Sequence, residues 1–182
     1  NISMIGKKFR LFKLLGFEVG IDLSWVIIAI LITWSLAVEL FPSYDSRFPA
    51  LTRWIMGAIG ALGLFLSLIF HELSHSLFAR LYGINIRGIT LFIFGGVAEI
   101  EQEPKTPKAE FVIGIAGPLS SILLLGIFYL LDIIGKKLGF PSSVIAIFSF
   151  LAYINMVLAI FNMIPAFPLD GGRVLRSILW YF

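Results

Sequence analysis

Between Trp54 and Tyr82 lies an apolar run that carries, in its second half, His71-Glu72-Leu73-Ser74-His75. Few folds accept such a stretch. It is long enough to cross a bilayer as a helix, about 43 Å at the usual rise. His71 then lies roughly 16 Å from the C-terminal end, well inside the hydrocarbon layer. Ionisable groups at that depth are costly and by default functional. The spacing says what they do. Positions i and i+4 share one helix face, so both imidazoles reach one metal ion. Glu72 is turned by about 100° from His71, which puts it beside the metal's open position and outside the ligand set. Such a pair of ligands plus a base makes a metal-bound water acidic and supplies a carboxylate to take its proton. These are the two histidines of the whole chain.

Composition agrees with a membrane setting. The chain has 182 residues, 59% hydrophobic and 14% charged. Soluble domains carry about 45–50% apolar and about 25% charged residues. The expected fold class is a mainly α-helical polytopic membrane protein, with about four transmembrane helices and a small β-strand or hairpin segment between helices 2 and 3. With no cysteine, disulfides, thiolate ligands and a cysteine nucleophile are excluded, so histidine and carboxylate must hold any metal. The net charge of +3 bears on orientation in the bilayer rather than on nucleic acid, for which no binding is expected.

The chain in order gives the spans. Residues 1–20 are basic and mildly amphipathic, with Lys7, Lys8, Arg10 and Lys13 among Phe9, Leu11, Phe12, Leu14 and Leu15. No signal-peptide cleavage site is evident, and an interfacial anchor on the cytosolic face is the expectation. Leu23–Val38 is the first span, broken at Phe41-Pro42-Ser43-Tyr44-Asp45. The second runs from near Trp54 to about Tyr82, with Gly83 as its C-terminal cap. Residues 84–103 are rich in Ile, Thr and Phe and punctuated by glycine, which reads as one or two strands with a turn near Gly95-Gly96. Bare strand edges cannot face lipid, so this segment must lie in a protein-lined, wet or interfacial place. It is either an open edge that pairs with an extended peptide or a plain re-entrant hairpin. Pro104–Pro107 is a polar hinge. Phe111–Leu131 is the third span, with Gly114, Gly117, Ser120 and Ser121 suited to close helix contact and Pro118 to a kink. A fourth helix is expected from Ser142 to about Asn162, followed by unwinding at Pro165 and Pro168 and a new helix from about Arg173.

With four spans and the N-terminus inside, ten of the fourteen basic residues fall on the cytosolic face, and Arg47, Arg53, Lys136 and Lys137 on the other. That asymmetry favours a cytosolic N-terminus. It also brings the C-terminal part of the second helix and the Asp170 loop to the same side. Two histidines leave a zinc site one protein ligand short. The acidic residues at a suitable depth, Glu72 apart, are Asp170 and the 99–103 cluster. Asp170, ahead of two glycines that permit close backbone approach, is the expected third ligand; the alternative is a helix N-cap.

These motifs resemble the site-2 protease family of intramembrane zinc metalloproteases. The resemblance rests on His71-Glu72-Leu73-Ser74-His75 and on Asn162-Met163-Ile164-Pro165-Ala166-Phe167-Pro168-Leu169-Asp170-Gly171-Gly172. Phe94-Gly95-Gly96-Val97-Ala98 and Gly117-Pro118-Leu119 support it, and the motifs occur in the family's order. It implies one intramembrane metalloprotease domain over 1–182, with Zn2+ bound by His71, His75 and Asp170 and with Glu72 activating the water. Asn162 would help hold the scissile peptide or its oxyanion. The 84–103 segment, with Gly95, Gly96 and Val97, would receive the unwound substrate. The expected activity is zinc-dependent endoproteolysis of transmembrane protein substrates in a prokaryotic cell membrane, with the lipid bilayer as the other partner. Two departures stand out. The family often has an asparagine a few residues after Gly-Pro, where this chain has Ser120-Ser121. No PDZ domain fits between Glu103 and Lys108, which points to the branch without one. Members of that branch often continue with further helices or a CBS pair, so the chain is expected to be part of a longer protein, with a regulatory partner or CBS domain outside it.

The rival class is a divalent-metal transporter with an intramembrane His/Glu/His site. A transport path needs ligands on several helices and usually a paired repeat, and neither is present in the sequence.

Overall fold

The computed structural model describes residues 9–92, 95–100 and 103–182. The chain opens with two strands, β1 (Phe9–Leu14) and β2 (Phe17–Ile21). Next come α1 (Leu23–Ser35), a π-helical turn (Leu36–Leu40) and the short α2 (Phe41–Tyr44). The 32-residue α3 (Ala50–Leu81) leads into β3 (Ile86–Phe92) and β4 (Gly95–Ile100). Then α4 (Pro107–Leu138), α5 (Ser142–Asn162) and α6 (Asp170–Tyr181) complete it. Among the described residues, four helical segments are long and apolar enough to cross a membrane: Leu23–Tyr44, α3, α4 and α5.

Local chemistry explains most boundaries. Asp22 caps α1, its Oδ1 accepting from the Ser24 N–H at 2.9 Å. Thr106 does the same for α4 through the Ala109 N–H, and Pro107 occupies the first turn, where its missing N–H costs nothing. At the end of α3, Gly83 has φ +72°; its N–H reaches Arg80 O and the Ile84 N–H reaches Ala79 O, both marks of a Schellman ending.

The spans meet on a core of Leu36, Phe41, Met56, Phe65, Ile147, Phe150 and Leu151, drawn from the first span, α3 and α5. The sheet forms a second layer at one end. Its order is β1-β2-β3-β4, with β2 and β3 parallel and the outer pairs antiparallel. Phe17, Val19 and Ile89 pack from this sheet onto Ile69 and Leu73 of α3. Those two residues flank His71 and Glu72, so the sheet lies against the turn of α3 that carries the motif. The parallel β2–β3 pair needs a long crossover, and the helices from α1 to α3 supply it.

Two expectations need revising. The segment expected as a mildly amphipathic interfacial anchor holds a β-hairpin, Phe9–Ile21, joined to the sheet; residues 1–8 of that segment lie outside the described residues. The first span runs past Val38 and through Pro42 to Tyr44, so the expected break takes effect only at Asp45, the last residue of the breaking segment. The π turn offsets the hydrogen-bond ladder, and Pro42 sits in the first turn of α2, where its ring is tolerated. The strand region does form two antiparallel strands, with Gly95 and Gly96 pairing with Phe92 and Leu91 at the start of β4. The connection at 93–94 lies outside the described residues.

Candidate metal centre

His71 and His75 project from α3 into a wall made by α4 and the start of α6. Both are buried, at 2% and 5% exposure. Asp170, the first residue of α6, reaches them from the other side. Its Oδ2 lies 3.1 Å from His71 Nε2 and 3.1 Å from His75 Nε2, and the two nitrogens are 3.2 Å apart. The N-cap position of α6 belongs to Leu169, so the Asp170 carboxylate is turned to the imidazoles rather than spent as a cap.

The far ring nitrogens fix the near ones. His75 Nδ1 lies 2.6 Å from the Ile113 carbonyl, which can only accept, so Nδ1 carries the proton. In a neutral ring His75 Nε2 is then a lone pair aimed at the Asp170 carboxylate. His71 Nδ1 is 2.9 Å from Ser121 Oγ, a partner able to accept the same way. Three lone-pair donors thus converge on one point, an arrangement that a cation satisfies and water-free packing does not. Their spacing also fits. A tetrahedral ion with bonds of about 2.0–2.1 Å holds its ligand atoms roughly 3.3–3.4 Å apart. Among the described residues, His71, His75 and Asp170 are the group able to hold a metal.

Two glycines make the room. A Cβ on Gly117 would overlap His75 Nε2 and come within 2.6 Å of His71 Nε2, so α4 can approach the motif only through a bare backbone. A Cβ on Gly171 would run into the Met163 and Ile164 carbonyls, so the loop after α5 folds tightly over the start of α6. Hydrogen bonds from Ala166 N to Ile164 O, Leu169 N to Ala166 O and Gly172 N to Leu169 O shape that loop and aim Asp170.

The other residues named from sequence are placed as follows. The Glu72 carboxylate lies within electrostatic reach of both imidazoles and of Asp170. Asn162 ends α5, its amide donating to the Leu158 carbonyl at 2.9 Å, and no described bond joins it to the metal-binding group. Gly95, Gly96 and Val97 lie on β4, an outermost strand of the sheet order. Sequence reasoning missed the supporting pair, Ile113 O and Ser121. A backbone carbonyl carries no sequence signal. Ser121 stood in the Gly-Pro segment but read as a helix-contact residue.

Comparison with known proteins places the chain in a family and agrees with the helical fold. The family model described as peptidase family M50 matches residues 59–137 and 133–182. The Synechocystis sp. protein sll0528 is 44% identical over 98% of this chain and 46% of its own length. Zinc metalloprotease MJ0392 of Methanocaldococcus jannaschii is 35% identical over 93% of this chain and 45% of its own. The chain therefore spans about half the length of the curated relatives it matches. A solved site-2 protease from Methanocaldococcus jannaschii superposes with TM-score 0.63 at 30% identity, covering 95% of this chain and 72% of that one. With its motifs in a multi-pass helical frame and this breadth of match, the chain belongs to peptidase family M50, that of the site-2 proteases.

Proposed function

We propose that the chain is the catalytic part of a zinc-dependent intramembrane endopeptidase that cuts transmembrane protein substrates. The observation that carries this reading is the convergence of His71 Nε2, His75 Nε2 and Asp170 Oδ2 beside Glu72. His71, His75 and Asp170 would hold the ion. When bound, zinc supplies Lewis acidity, acidifying a water and polarising the scissile carbonyl. Glu72 takes the proton from the attacking water and gives it to the leaving amine. Asn162, at the end of α5, donates to the oxyanion or holds the scissile peptide. Ser121 and Ile113 O keep both imidazoles in the tautomer a ligand needs.

A substrate helix hides its carbonyls in its own hydrogen bonds. β4 lies at one end of the sheet order, and the sheet packs beside the motif turn of α3. An unwound substrate segment adds there as a further strand, along Gly95, Gly96 and Val97, regaining the backbone bonds it lost. The positive-inside bias supports a cytosolic N-terminus, and the membrane of this reading is that of a prokaryotic cell. The transporter reading fits less well, because the donor set is a single closed cluster on α3 and α6 among the described residues.

The test is metal analysis of the purified chain together with cleavage of a membrane-spanning reporter, with and without chelator. About one zinc per chain and chelator-sensitive cleavage are expected. Zinc bound without cleavage of any transmembrane reporter would return the chain to a binding or transport role.

A further inference from the structure

Asp170 is delivered by a helix that is itself pinned near its middle, at Arg176. α6 lies antiparallel to α4. Arg176 meets Glu110, Val174 Cγ2 would sit 3.1 Å from a Cβ on Gly114, and Asp170 arrives where Gly117 opens onto the histidines. Glu110 is 2% exposed, a carboxylate buried in the first turn of α4. Its Oε1 accepts from Arg176 Nε at 2.6 Å and also from Nη2. Its Oε2 is buried without a partner among the described residues, so Arg176 is the described group that compensates this charge. The same guanidinium lies 5.8 Å from the centroid of the Phe167 ring, in the loop that leads to Asp170. One side chain therefore touches the helix that forms the site wall, and the loop that presents the third ligand.

We infer that the Arg176–Glu110 pair is a positioning device for the metal centre, setting the height of α6 along α4 and with it the reach of Asp170 to His71 and His75. Asp170 and Arg176 are six residues apart, about 9 Å along the helix. The loop bonds at its start and this ion pair near its middle fix the first half of α6. A packed apolar contact alone permits small slides, whereas a two-donor fork on a buried carboxylate allows one register. Neither Arg176 nor Glu110 touches the reacting atoms. The effect belongs to how tightly the metal is held, and it rests on the three-ligand reading above.

The experiment uses the whole chain in detergent and reads zinc affinity by competition with a chelator of known strength. Arg176→Gln and Glu110→Gln should each weaken zinc about tenfold to a hundredfold, the range found when groups that orient ligands are lost. Turnover at saturating zinc should stay near the parent value. Arg176→Lys keeps the charge without the fork and should fall between. Exchanging the charges, Glu110→Arg with Arg176→Glu, should recover most of the affinity. Zinc affinity within about twofold of the parent in Arg176→Lys and Arg176→Gln, with only the thermal midpoint of the metal-free protein lowered, would reduce the pair to a structural contact. Failure of the parent chain to hold zinc would strike the metal centre itself, not this pair.

Discussion

His75 is held at both ends, which suits it to bind a metal and not merely to fill the core. Its Nδ1 is committed to the Ile113 carbonyl and its Nε2 to the point shared with His71 and Asp170. His71 has the same plan with Ser121. Removing the Ser121 hydroxyl should therefore loosen the ring rather than delete a ligand. Ser121→Ala is expected to weaken zinc about tenfold to a hundredfold, measured by chelator competition. Affinity equal to the parent would mean the imidazole is oriented by packing alone. Glu72 separates binding from chemistry. Glu72→Gln keeps the shape of the side chain and leaves the ligands intact, so zinc content should hold while reporter cleavage falls by at least about a hundredfold, the scale of a lost general base. Turnover that survives would take Glu72 out of the mechanism. Gly117→Ala tests the space around the ion. The added methyl overlaps the position of His75 Nε2, so both rings must turn away, and the purified variant should carry little zinc although its four spans remain helical by circular dichroism. A full complement of zinc there would show that α4 can retreat from α3.

Elements were legible in the sequence where one physical signal dominated. The lengths of α3 and α5 follow from hydropathy, and α5 ends at Asn162 where the proline-bearing loop begins; α4 runs on at both ends beyond the expected Phe111–Leu131, to Pro107 and Leu138, because Asp132 is paired with Ser149 and Lys136 instead of ending the helix. The turn chemistry of Gly83 marks the end of α3. The N-terminal hairpin was not legible because β1 is exposed along almost its whole length, so it shows no buried face to read. A register shift between Arg10 and Phe12 also breaks the two-residue alternation, leaving apolar and basic residues mixed in a way that looks amphipathic. The signal that could have found it was in β2. There Phe17, Val19 and Ile21 alternate after the Leu15-Gly16 turn, and both turn residues have positive φ, at 50° and 87°. Phe17 is fully buried with Ile69 and Leu73, in the turn of α3 that carries the motif but on the side away from the two histidines, with the Arg80 guanidinium 3.9 Å over its ring. Phe17→Ala should cost about 3–5 kcal/mol of local packing and loosen the sheet from α3. If the sheet receives substrate, KM for a membrane reporter should rise while zinc content stays unchanged. A change confined to zinc content would place the sheet's role in holding the site instead.

At the scale of the whole molecule the candidate site depends on topology as much as on ligands. Four spans return the chain to the side on which it started, so β1–β2, the end of α3, the start of α4 and α6 share one end of the bundle. That arrangement lets residues 71 and 170 meet, and it was readable from the number of spans. The cross-links that lock it, from Ile113 O, Ser121 and the Arg176–Glu110 pair, were not readable, since each joins positions distant in sequence through an atom with no pattern of its own. The orientation is open to a clean measurement, because the chain has no cysteine and a single introduced thiol reports one place. Lys105 lies just before α4, and Lys137 lies near its far end. At 1.5 Å per residue the two are separated by about 48 Å, more than the hydrocarbon thickness, so they must emerge on opposite faces. With the N-terminus inside, Lys137→Cys should react with a membrane-impermeant maleimide in intact cells, and Lys105→Cys only after the membrane is opened. The reverse pattern would place the metal centre towards the outside and would reassign the compartment from which water and substrate reach it.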